Sequence, residues 1–100
     1  MDYRGGLLWR CVQAAINNWN PYNLVSDTED DEFAGEVQAV CRALSSRLTR
    51  SKISAREISH LISRAFTSSF SDPEKFSPEK CVDVSEELFD RLLAAGLARN

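Results

Sequence analysis

Asn18-Trp19-Asn20-Pro21-Tyr22-Asn23-Leu24 divides the chain into two unlike parts. Upstream of it, apolar residues recur at helical spacing; downstream lies the most acidic run in the sequence. Pro21 cannot continue a helix and pushes Asn20 out of the right-handed α region. A first helix therefore stops within a residue or two of Trp19. Trp19 stands on the apolar face of that helix, and Tyr22 and Leu24 follow in an Asn-rich turn. An indole beside a rigid proline turn is most simply a clamp on the chain's exit direction. An aromatic ligand pocket is the functional alternative, but no polar groups converge here by sequence.

The remaining segments repeat the helical pattern. From about Gly6 to Trp19, the residues Leu8, Cys11, Val12, Ala15, Ile16 and Trp19 form one apolar stripe. Phe33, Val37, Val40, Cys41, Leu44 and Leu48 form a second, which fades through Ser45-Ser46-Arg47 into the polar connection Thr49-Arg50-Ser51-Lys52. Ser54-Ala55-Arg56-Glu57 matches a capping box, in which serine and glutamate satisfy each other's orphan backbone donors. It opens a third helix with Ile58, Leu61, Ile62, Ala65, Phe66 and Phe70 inward, ended by Ser71-Asp72-Pro73. In the fourth, Ser77 is the expected N-cap and Pro78 the first helical residue. Phe76 is placed to staple against Cys81 or Val82. The stripe Val84, Ser85, Leu88, Phe89, Leu92, Leu93 then runs to the C-capping Gly96. No segment alternates with period two. The expected fold is all-α: one domain over residues 1–100, a compact array or bundle of about four amphipathic helices. Trp19, Phe66 and Phe89 are expected to be largely buried.

Composition narrows the class. Hydrophobic residues make up 43% of the chain and charged ones 27%, a globular balance rather than a disordered one. No apolar run approaches the ~20 residues that span a bilayer, and the start lacks the apolar core of a signal peptide. The three cysteines, Cys11, Cys41 and Cys81, form no CxxC pair and no disulfide framework. The expectation is a cytoplasmic protein with reduced, buried thiols and no membrane partner.

Catalytic patterns are missing. His60 is the only histidine and has Arg56, Glu57 and Arg64 as helical neighbours, which reads as a solvated face. A Cys–His nucleophilic pair needs both groups within hydrogen-bond reach, whereas the cysteines point inward. There is no phosphate-cradling glycine loop, nucleophile elbow or HExxH pattern. Counted as a calcium loop from Asp27, the chain has Glu32 where the turn needs glycine and Gln38 where a bidentate glutamate belongs. The expectation is a protein that is not an enzyme, with no cofactor and no metal.

Charge is more informative. Residues 20–41 hold six acids (Asp27, Glu29, Asp30, Asp31, Glu32 and Glu36) and no Lys or Arg. Residues 42–64 hold Arg42, Arg47, Arg50, Lys52, Arg56 and Arg64 against Glu57 alone. Carboxylates in a helix's first turn gain about 0.3–1 kcal/mol each from the helix dipole. Six of them exceed what a cap requires, and they repel one another. They are the candidate protein-binding residues. The structural alternative is that the two regions neutralise each other or are simply solvated. The scattered positives, with no interleaved aromatics, argue against nucleic acid as a partner.

The WNPYNL turn, Asp31-Glu32-Phe33 with Val37, the block Ile62, Phe66, Ser69-Phe70, and Phe76 with Cys81 resemble the YugE-like family of small bacterial proteins. The resemblance spans roughly residues 10–93, and Asn20 stands where an aspartate is common. It implies an all-α fold and no established activity, so no functional residue is carried over. From the residues, the expected function is a protein-binding module, specifically a bacterial immunity protein that neutralises a basic toxin domain through an acidic face. A housekeeping or regulatory adaptor, homo-oligomeric forms included, is the alternative.

Overall fold

A computed structural model describes residues 6–21, 33–48 and 52–98. They form four α-helices: α1 (Leu7–Trp19), α2 (Ala34–Leu48), α3 (Ala55–Phe70) and α4 (Val82–Ala94), the last preceded by a 3₁₀ turn, Pro78–Cys81. No strand occurs among the described residues. The all-α expectation is met. None of these helices is long and apolar enough to cross a membrane.

The helix ends follow the local chemistry. α1 closes with Asn20, whose N–H donates to the Ile16 carbonyl at 2.8 Å before the backbone turns left-handed at φ 49°. Asparagine tolerates that conformation better than most residues, and Pro21 prevents any continuation. Ser54 caps α3, accepting from the Glu57 N–H at 3.2 Å. The Glu57 carboxylate is turned instead to Arg47, so the capping box is made on one side only. Ile53 and Ile58, flanking that cap, are both buried, the positions of a hydrophobic staple.

α4 ends in a Schellman motif. The Leu97 N–H reaches the Leu92 carbonyl at 2.8 Å and the Gly96 N–H reaches Leu93 at 3.1 Å. Gly96 takes φ +75°, the conformation that glycine adopts without a Cβ penalty. The start of this element differs from expectation. Ser77 and Pro78 open the 3₁₀ turn, without a side-chain cap bond, and the α-helix begins four residues later. Cys81 then faces inward, its thiol donating to the Phe76 carbonyl at 3.7 Å. Val82, the other candidate for the staple, is rotated outward and exposed.

Packing joins α1 to α2, α2 to α3, α3 to α4 and α4 back to α1. Marker contacts set directions: Cys11 meets Arg91 and Asn18 meets Glu87, so α1 and α4 run antiparallel. Arg47 meets Glu57 across the short α2–α3 connection. The core is one cluster that includes Val12, Ile16, Val40, Leu44, Ile62, Phe66, Leu88 and Leu92. Trp9 is buried as well, which widens the inner face of α1 beyond the stripe expected from spacing.

The three expected aromatic residues are largely buried: Phe66 completely, Trp19 and Phe89 with a minor part of their surface exposed. Trp19 is the last residue of α1, where helix packing stops, and its ring lines a surface depression. Phe89 packs against the margin of the cluster from α4.

Candidate protein-binding face

Five rings meet at one end of the molecule. Trp19 lies edge-on to Phe66 at 5.1 Å and to Phe76 at 5.8 Å between centroids. Phe33 lies 5.7 Å from Phe66, and Phe70 stacks on Phe66 at 5.9 Å. The end of α1, the residue before α2, the end of α3 and the approach to α4 thus share one aromatic centre. Such edge-to-face and offset pairs add about 0.5–1.5 kcal/mol each beyond area burial.

This centre holds both roots of the acidic run. Pro21, buried, closes the segment before it, and Phe33, fully buried, opens the segment after it. Trp19 and Phe33, which bracket residues 22–32 in sequence, both meet the Phe66 ring. Of the candidate binding residues, Glu36 lies in the first turn of α2 and is partly buried. Its position suits the positive end of the helix dipole. Asp27, Glu29, Asp30, Asp31 and Glu32 lie outside the described residues.

Beside the first root is an open depression of about 590 Å³, lined by Trp19, Asn20, Pro21, Asp72, Glu74, Lys75 and Lys80. Its far wall comes from the α3–α4 connection. There Ser71 closes α3 in a left-handed conformation at φ 56°, and Asp72 Oδ1 accepts from the Lys75 N–H at 3.2 Å. Lys75 Nζ stands 6.0 Å from the Phe76 ring centroid, within reach of a cation–π attraction. The result is an indole and a proline bordered by two carboxylates and two ammonium groups. Helical periodicity cannot reveal this wall, because its residues lie on a connection. The available signal is the pairing of two proline turns, Asn20-Pro21 and Asp72-Pro73, each flanked by an aromatic residue.

The cysteines are placed as expected. All three are free and buried. Burial pushes the Cys41 thiol up to about 12, with Cys11 nearby adding to it, and pushes Cys81 up to about 11. Cys11 is also raised by burial, with Arg91 partly offsetting the rise. Such thiols are poor nucleophiles. His60 is exposed on α3. Among the described residues no group of three His, Cys, Asp or Glu side chains is arranged to hold a metal ion.

The chain matches no protein-family model, no curated protein and no solved structure.

Proposed function

We propose that this chain is a non-catalytic protein-binding module of the bacterial cytoplasm, and that its partner is a basic protein domain. An immunity protein that neutralises a toxin is the role whose chemistry fits best. The observation that supports this reading is that Trp19 and Phe33, which bracket residues 22–32 in sequence, meet on the Phe66 ring, with Trp19 lining an open depression.

Interface energy concentrates on aromatic anchors surrounded by polar groups that exclude water. Trp19, with Asp72, Glu74, Lys75 and Lys80 around it, has that composition. Carboxylates as dense in sequence as those from Asp27 to Glu36 raise encounter rates with a positive surface and disfavour negative ones. The inert thiols and exposed lone histidine support a binding role over a nucleophilic one. The resemblance to the YugE-like family implies no activity of its own.

The test is affinity capture from cell extract at low salt, with mass-spectrometric identification. Three baits are compared: the wild-type chain, Trp19→Ala, and the triple amide Glu29→Gln, Asp30→Asn, Glu32→Gln, each confirmed helical by circular dichroism. The expected result is a basic protein recovered by the wild type and depleted with both variants. Equal recovery by all three baits, or capture of an acidic partner alone, overturns the reading.

A further inference from the structure

A second concavity lies away from the aromatic end, between the last turn of α2 and the outer side of α3. Its volume is about 280 Å³, and it is lined by Arg47, Glu57, His60, Leu61 and Arg64. The nitrogen donors come from both helices: Arg47 lies in the last turn of α2, while His60 and Arg64 stand one turn apart on α3 and so share a face. Leu61, 8% exposed, supplies an apolar floor. The cleft is therefore concave and carries two guanidinium groups, one imidazole and a single carboxylate.

That carboxylate is engaged. Arg47 Nη1 donates to Glu57 Oε2 at 3.1 Å, with both side chains substantially exposed. A guanidinium offers five N–H donors in a planar fork, so this bond leaves Arg47 further donors. His60 and Arg64 make no ion pair among the described residues. On the same face of α3, the Glu57 carboxylate already shows where an oxyanion meets Arg47 in this cleft.

We propose that this cleft binds a small phosphate-type dianion between Arg47, His60 and Arg64, with the Glu57 carboxylate as its internal competitor for Arg47. Two physical arguments select that ligand. Small-molecule sites usually enclose about 300–1,000 Å³, and this cleft lies at the lower bound, the size of a phosphate with a short appended group. Coulomb attraction scales with the product of charges and is weakened by water at an exposed site. A dianion therefore gains about twice what a monocarboxylate gains from the same arginines. The inference is independent of the protein-binding role, since the cleft shares no residue with the Trp19 depression.

The test is a titration of the full chain with inorganic phosphate at constant ionic strength, followed by amide chemical shifts, with acetate as the monoanion control. The expected result is saturable shifts centred on His60, Leu61 and Arg64, and a much smaller response to acetate. Arg64→Ala, an exposed substitution whose fold is checked in the same spectra, should weaken phosphate binding by about tenfold, one decade of the affinity scale. Glu57→Gln should strengthen it severalfold, and glutamine still suits the third position of the α3 start. Shifts that rise linearly and spread over Arg42, Arg56 and Arg91, an equal response to acetate, unchanged binding in Arg64→Ala, or unchanged or weaker binding in Glu57→Gln would each overturn the proposal.

Discussion

Phe66 is the residue on which distant parts of the sequence meet, since Trp19, Phe33, Phe70 and Phe76 all contact its ring. Phe66→Ala should cost about 3–5 kcal/mol, the usual range for a fully buried aromatic residue. Trp19 keeps part of its surface in solvent, so Trp19→Ala should cost roughly 2–3 kcal/mol, less because less area and fewer contacts are lost. Denaturant unfolding of the two variants checks the order, and a larger loss for Trp19→Ala would show it to be the true centre. The cysteines offer a prediction in pH. Their folded pKa values are raised above the ordinary 9.0, to about 12 for Cys41 and about 11 for Cys81. Above pH 9 the unfolded chain therefore releases thiol protons that the folded chain keeps. Stability is complete below that pH and falls as pH rises towards 12. Cys41→Ala with Cys81→Ala should flatten that alkaline decline; an unchanged slope would assign it to other groups. Thiol labelling of the native protein should meanwhile be slow at all three positions.

The helices differ in how plainly the sequence announces them. Capping and termination are local, so Ser54, Gly96 and the proline turns can be read from adjacent residues. Burial set by a neighbouring helix is not local. Trp9 and Ile53 become core because α1 is covered by both α2 and α4 and because Ile53 precedes a cap. The opening of α4 shows the same limit: Ser77 and Pro78 signal a start, but they do not distinguish the 3₁₀ turn Pro78–Cys81 from the α-helix that begins at Val82. The ends of α1 and α3 use one device, a left-handed non-glycine residue shortly before a proline. At Ser71 that conformation costs roughly 1–2 kcal/mol relative to a residue without Cβ. Ser71→Gly should therefore raise stability, by about 1 kcal/mol after its greater unfolded-state entropy is counted. Thermal unfolding reads the change, and a lower melting temperature would mean that the serine hydroxyl has a stabilising role.

The antiparallel arrangement explains why one end of the bundle gathers the features of interest. α1 and α3 finish there, and α2 begins there, so Trp19, Phe33, Phe66, Phe70 and Phe76 converge although they span more than half the chain. The density of acids between Asp27 and Glu36 can be read from sequence alone. Its attachment to an aromatic centre, and the wall supplied by Asp72, Glu74, Lys75 and Lys80, cannot, because those residues are brought together only by the packing of α3 and α4 against α1. The central claim, that this end is a charge-guided protein-binding face, makes a kinetic prediction. Electrostatic steering accelerates association and weakens as salt screens it over about 10 Å at 0.1 M. The decisive measurement is the association rate of the captured basic partner with the wild-type chain and with Glu29→Gln, Asp30→Asn, Glu32→Gln, across a range of salt. The account predicts a wild-type rate that falls steeply with salt and a triple variant that is slower at low salt and much less salt-dependent, with dissociation little changed. Equal rates and equal salt slopes, with both chains folded, would contradict it.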